Sequence, residues 1–139
     1  MKLILKNNLL IAGVDEVGRG CLAGPVVSAV VILNDKIDLK IIKDSKKINF
    51  QNRLKITEII KQNSYYAIGT ASVEEIFKIN ILQAALLSMK RAINKLEKKP
   101  DQILIDGPFA PNGLNNYKTI IKGDEKIKCI GAASIIAKT

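Results

Sequence analysis

The order in which the apolar runs change period is the strongest constraint on how this sequence folds. Residues 9–14 form a short apolar run. Residues 26–33 form a second, rich in β-branched side chains and entered through Gly24-Pro25, and both read as strands. Residues 34–40 are polar and loop-like. Across residues 49–61 the period lengthens, with Phe50, Leu54, Ile56, Ile59 and Ile60 near helical spacing. Residues 65–73 return to a strand pattern. Ser72 then offers an N-cap, with Glu74 and Glu75 in the first turn, where acidic groups suit the macrodipole. A longer helical pattern begins at Asn80 and runs through Ile81, Leu82, Ala85, Leu86, Met89, Ile93 and Leu96, with Pro100 marking its end. Residues 102–105 and 117–121 read as short strands, and residues 131–138 as a small-residue helix. Strands cluster first and then alternate with helices, which predicts an α/β fold with a mixed-direction sheet flanked by helices. No linker, repeat or low-complexity block divides the 139 residues, so one domain over residues 1–139 is expected.

Composition narrows the chemistry. With 47% hydrophobic and 25% charged residues the chain is not disordered. It contains no histidine, which removes Ser-His-Asp and Cys-His nucleophile systems, HExxH zinc sites and histidine bases. Cys21 and Cys129 are far apart and belong to no CxxC motif, so neither a zinc ribbon nor a disulfide scaffold is indicated. What remains is chemistry by carboxylates, amines, hydroxyls, thiols or an oxygen-held metal, or a pure binding role. Lys6, Asn7 and Asn8 interrupt the N-terminal apolar residues, and the longest apolar stretch, residues 22–33, is too short to span a bilayer. A cytoplasmic protein without membrane partners is expected, and nothing in the pattern suggests more than a monomer. The surplus of 22 Lys+Arg over 13 Asp+Glu gives a net charge of +9. Such a surplus suits nucleic acid first and an anionic membrane second, although lysine-rich solubility gives the same arithmetic.

Four carboxylates stand where charge is expensive. Asp15 and Glu16 end the first apolar run, Asp106 ends the strand ILID, and Asp124 follows the strand near Ile121. All four fall at or just past the C-terminal end of an expected strand, the edge where open α/β sheets bind ligands. Taken singly, Asp106-Gly107 and Gly123-Asp124-Glu125 are ordinary turns, and Asp15-Glu16 is a solvated strand end. Taken together, neighbouring strands would bring them to one place, where a divalent cation relieves their repulsion. Mg²⁺ takes a few carboxylates plus waters and phosphate oxygens. Two such ions about 4 Å apart suit phosphodiester hydrolysis without histidine. Strand alternation points Asp15 and Glu16 to opposite faces unless the chain turns near Gly18; otherwise Glu16 offers its carbonyl oxygen.

Gly18-Arg19-Gly20 follows directly, a loop able to bring backbone close to a ligand, with Arg19 available to a phosphate. Ala23 stands where a dinucleotide fingerprint needs its third glycine, and no Walker A sequence is present. Asp44-Ser45-Lys46-Lys47 adds a hydroxyl and two amines on an expected loop, suited to phosphate or simply to solvent.

These segments resemble one family. AGVDEVGRG at residues 12–20 with Gly24-Pro25, DSKK at 44–47, LIDG at 104–107, and KGD at 122–124 followed by AASIIAK at 132–138 resemble the ordered motifs of ribonuclease HII. The Arg between Gly18 and Gly20 favours this type over the related type HIII. The resemblance covers nearly the whole chain. It implies an RNase H-like fold and a two-metal endonuclease using Mg²⁺ or Mn²⁺. Its substrate would be RNA in RNA–DNA hybrids, with incision 5′ to single ribonucleotides in duplex DNA. It implies Asp15, Glu16, Asp106 and Asp124 as the catalytic, metal-binding set. Gly18, Arg19 and Gly20 would sense the ribose 2′-OH. Ser45, Lys46, Ser134 and Lys138 would contact phosphates. Family members continue past the SIIAK segment with further helices and a junction-stacking tyrosine, so the expected domain is C-terminally shortened. A hybrid-binding module without catalysis is the alternative expectation.

Overall fold

The computed structural model describes residues 5–6, 9–18, 24–34, 40 and 49–138. Arg19, Gly20, Ser45 and Lys46 lie outside the described residues. The elements run β1 (Leu5–Lys6), β2 (Leu9–Val17), β3 (Val26–Leu33), α1 (Phe50–Gln62) and β4 (Ser64–Ala71). They continue with α2 (Val73–Lys95), β5 (Gln102–Asp106), β6 (Tyr117–Ile120), α3 (Gly123–Lys126) and α4 (Lys128–Lys138). The expected mixed α/β architecture is what forms: a sheet in the order β4-β3-β2-β5-β6, with β1 paired to β2. The meander β2-β3-β4 is antiparallel, whereas β2-β5 and β5-β6 are parallel.

The central strands are buried on both faces, which is why β3 reads as a continuous apolar run instead of an alternating one. The edge strand β4 alternates, with every second or third side chain reaching solvent. One face of the sheet packs against α2 through Ala12, Val14, Val30, Ile32, Met89, Ala92, Ile103 and Ile105. The other packs against α4 through Ala29, Val31, Leu33, Ala132, Ala133 and Ile136, with Ile60 of α1 beside them. Ile130 and Ile136 are almost wholly buried, and each such side chain contributes roughly 1.5–3 kcal/mol of transfer free energy. Glycine sets how near α4 can come: a Cβ at Gly13 on β2 would overlap the backbone of Cys129 and Ile130. Gly69 on β4 does the same for α2 at Ser88 and Ala92.

The cap read from sequence at Ser72 forms, and the structure adds one at Asn49. Asn49 accepts the Asn52 N–H at 2.9 Å and starts α1. Ser72 and Glu75 make a reciprocal capping box, with bonds of 3.1 and 3.0 Å. Asn80 starts a new segment inside α2: it leaves helical geometry at φ 73°, and its Oδ1 accepts the Gln83 N–H at 3.0 Å. The expectation of a start at Asn80 therefore appears as a kink within one helix. Strand β2 runs three residues further than expected, because its ladder with β3 continues unbroken from Gly13↔Val31 to Val17↔Val27. The helix α4 starts at Lys128, three residues ahead of the expected start. Among the described residues no helix is long and apolar enough to cross a membrane.

Candidate metal centre

Parallel pairing decides where the acids go. Strands β2, β5 and β6 lie side by side and point the same way, so their C-terminal ends share one edge. The register Val14↔Ile105 places Asp15 of β2 next to Asp106 of β5. Asp106 lies opposite Ile120 at the end of β6, and the turn that follows delivers Asp124 on α3. Asp15, Asp106 and Asp124 each present a carboxylate oxygen within 4.8 Å of the others. Alternation along β2 and β5 turns Asp15 and Asp106 toward the α4 side, since Val14 and Ile105 belong to the α2 side.

Asp15 is only 5% exposed. Burial, and after it the Asp106 charge and a hydrogen bond to Asp106, push its carboxyl from 3.8 up to about 8. Two groups pull the other way by bonding the charged form: the Glu16 N–H, 2.8 Å from Asp15 Oδ1, and the Ser134 hydroxyl. Asp106 is held from the other side, its Oδ1 accepting the Gly123 N–H at 2.6 Å and the Asp124 N–H at 3.4 Å. Lys122, just before, takes the left-handed conformation at φ 54°, which turns the chain so that these amides face Asp106.

Glu16 stands apart from the three. The β2-β3 ladder is regular through Glu16↔Ser28, so the chain does not turn before Gly18, and Glu16 points to the α2 face. Gly18 itself has φ 100°, and a Cβ there would meet the Pro25 carbonyl at 2.8 Å, so this position needs glycine. Lys138 is exposed at the end of α4. Ser134, expected on a phosphate, is 2% exposed. The reason is its place among Ala and Ile residues on the buried length of α4. The Gly123 amide is the contact that sequence reasoning missed: KGD marked the position for its aspartate, and a backbone donor leaves no trace in residue type.

An all-oxygen set of converging carboxylates, one of them buried, suits a hard divalent cation, which supplies the charge the acids lack. The family model for ribonuclease HII matches residues 12–139. Ribonuclease HII of Pelagibacter ubique is 59% identical over 131 residues, covering 93% of this chain and 70% of the relative. The Coxiella burnetii ribonuclease HII is 50% identical, covering 95% of this chain and 66% of its own length. The chain therefore spans about two thirds of these relatives. Among solved structures, ribonuclease H2 of Pyrococcus horikoshii OT3 superposes with a TM-score of 0.77 at 29% identity, covering 92% of this chain and 70% of that one. Bst-RNase HIII shares the fold, at a TM-score of 0.73 and 22% identity, over 94% of this chain and 51% of its own. A family match across almost every residue, the RNase H-like sheet and the strand-end acids agree: this chain belongs to the ribonuclease HII family.

Proposed function

We propose that this chain is a metal-dependent endonuclease that hydrolyses the RNA strand of RNA–DNA hybrids and incises 5′ to ribonucleotides embedded in duplex DNA. The observation that carries this reading is the convergence of Asp15, Asp106 and Asp124 at the shared end of three parallel strands, in a chain of this family. Asp15, Asp106 and Asp124 would hold Mg²⁺ or Mn²⁺, two ions in the full site, with Glu16 contributing from the neighbouring position. When bound, such ions supply an activated water and charge for the transition state of phosphodiester cleavage. The chain's own part is to bring the acids together, to bury Asp15 away from bulk water, and to hold Asp106 by the amides of α3 and Asp15 by the Glu16 N–H. The Gly18-Arg19-Gly20 loop would read the ribose 2′-OH, and Ser45, Lys46 and Lys138 would meet the phosphate backbone, as a net charge of +9 favours. Cleavage would leave a 3′-hydroxyl and a 5′-phosphate. The same reading makes the protein a cytoplasmic monomer with one catalytic domain.

The test offers two labelled substrates, an RNA–DNA hybrid and a DNA duplex carrying one ribonucleotide, each with Mg²⁺ or Mn²⁺. Cleavage of the hybrid and a nick 5′ to the ribonucleotide are expected. Salt-dependent binding to hybrid with no cut under either metal would replace the enzyme with a hybrid-binding module. Equal affinity for plain DNA, with no metal uptake, would remove both.

A further inference from the structure

A cavity of about 800 Å³ opens at the end of the sheet opposite the carboxylates, between the last turn of α2, the connection 96–101 and the loop 113–116. Its size is that of a small-molecule site. Strand β5 runs from this cavity, at Ile103, to the metal centre, at Asp106. The floor is apolar: Ile93, Leu96, Ile103 and Leu114 form the margin of the core beneath α2. The rim is polar, with Lys98, Lys99, Asn115 and Asn116. Lys95 already occupies the last turn of α2, where a cation suits the macrodipole, and Lys98 and Lys99 lie beyond it. Both are exposed, and no ion pair among the described residues engages either. Asp101 also lines the cavity, but its Oδ2 is taken by the Leu10 N–H at 2.7 Å. Hydrogen bonds tie the walls together. The Asp101 N–H donates to the Leu10 carbonyl at 2.8 Å, and Asn116 Nδ2 donates to the Asp101 carbonyl at 3.0 Å. The Asn116 carbonyl accepts the Ile103 N–H at 3.0 Å. At Gly113, where φ is 90°, a Cβ would meet nothing within 4 Å, so the mouth is open there.

We propose that this cavity binds a nucleoside 5′-monophosphate group, at a site separate from the metal centre. A floor of aliphatic side chains suits the face of a flat ring, which gains by leaving water. Asparagine amides offer a donor and an acceptor side by side, the pairing that a nucleobase edge requires. Two ammonium groups without a carboxylate partner suit a phosphate, held by charge-assisted bonds. A simple anion would leave the floor unused, and a neutral apolar molecule would leave the lysines unused. Walls already tied by hydrogen bonds have little freedom left to lose on binding. The group has two sources, a free mononucleotide or the 5′-phosphorylated end of a strand. The inference does not depend on the metal-centre reading, because its residues lie at the other end of β5.

The experiment titrates AMP, adenosine and inorganic phosphate into the isotope-labelled full chain in metal-free buffer and follows the backbone amides by NMR. AMP is expected to give saturable shifts centred on Asp101 and Gly113 to Asn116. Adenosine alone and phosphate alone are each expected to bind at least roughly tenfold more weakly, since each forgoes one half of the contacts. Replacing Lys98→Ala and Lys99→Ala together should weaken AMP binding by roughly tenfold or more, with the melting temperature unchanged because both side chains are exposed. Lys95→Ala should leave AMP affinity as it is. Asp106→Asn should bind AMP like the parent, so failure of the metal-centre reading would leave this result standing. A 5′-phosphorylated dinucleotide that binds as tightly as AMP assigns the site to strand ends, and one that is excluded assigns it to the free mononucleotide. Phosphate binding as tightly as AMP, or Lys95→Ala costing as much as the double replacement, reduces the lysines to a general basic surface and overturns the inference. So does the absence of saturable shifts with AMP, or shifts centred on Asp106 and Asp124 instead.

Discussion

Asp15 near the end of β2 and Glu75 in the first turn of α2 are both acids, and the fold treats them in opposite ways. Glu75, in the first turn of α2, meets Arg91 through two parallel bonds of 2.7 and 2.6 Å. It also accepts the Ser72 N–H, and Arg91 reaches on to the Thr70 carbonyl at 2.8 Å. The Arg91 hydrogen bonds lead in lowering the Glu75 carboxyl from 4.5 to about 2. Asp15 instead lies buried beside a second aspartate, and its carboxyl rises to about 8. The Glu75 pair braces α2 across its kink at Asn80. The Asp15 group is an arrangement that costs stability in the metal-free protein, and such costs concentrate where a ligand is to be received.

The largest effect expected from this contrast is on catalysis. Asp106→Asn should lower hybrid cleavage by at least about 10²–10³-fold, the scale of losing one charge-stabilising group, while circular dichroism stays native. Cleavage at the parental rate would detach Asp106 from the site.

Next comes pH. The unfolded chain releases the Asp15 proton above 3.8, whereas the folded, metal-free protein keeps it to about 8. The unfolded state therefore binds fewer protons in that window, and stability falls as pH rises from 3.8 through about 8. The loss is on the order of several kcal/mol. Thermal melts in metal-free buffer between pH 5 and 9, a range chosen to span roughly that window, should show it. Asp15→Asn should flatten the slope, and saturating Mn²⁺ should reduce it, because a cation favours the ionised form. A melting temperature that rises with pH across this range would refute the opposition drawn here.

The smallest effect belongs to the ion pair. Arg91→Ala removes a partly exposed pair and should cost only about a few degrees in melting temperature, less at high salt. Glu75 has a lowered carboxyl, so its contribution is present above 4.5 and is lost as pH falls through about 2. Arg91→Ala should therefore differ from the parent at pH 7 and converge with it in strong acid. A loss of hybrid cleavage in Arg91→Ala matching that of Asp106→Asn would dissolve the distinction between the two regions.

Much of this was legible in the chain. The bounds of β3 stand out because Gly24-Pro25 precedes the β-branched run and polar Asn34 follows it. Ser72 is visible as a cap, and Asn80 as the start of a helical pattern, because a side-chain acceptor before a helical period is a local signal. The end of β2 was not visible in this way. Asp15 and Glu16 look like strand terminators, yet the ladder to β3 continues past them because pairing is set by the partner strand's backbone. The four-residue α3 has too few residues to show a period, and it depends on Lys122 at positive φ, which no residue type announces for lysine. The Gly123 amide was not legible as a donor to Asp106, because a backbone N–H is common to almost every residue and only the turn into α3 aims it.

By itself the sequence determined the motif residues, the strands that carry them at their C-terminal ends, the caps and the absence of any imidazole. Those are properties of residues and their neighbours within a turn or a strand. Only the tertiary structure decided that β2, β5 and β6 run parallel side by side, and so that Asp15, Asp106 and Asp124 meet. It also decided that Glu16 faces the other way, and that the Gly123 amide meets Asp106. Parallel pairing joins strands distant in sequence through backbone hydrogen bonds that every residue can make. Side-chain identity can mark what the acids are for, while the position of the backbone decides which of them meet.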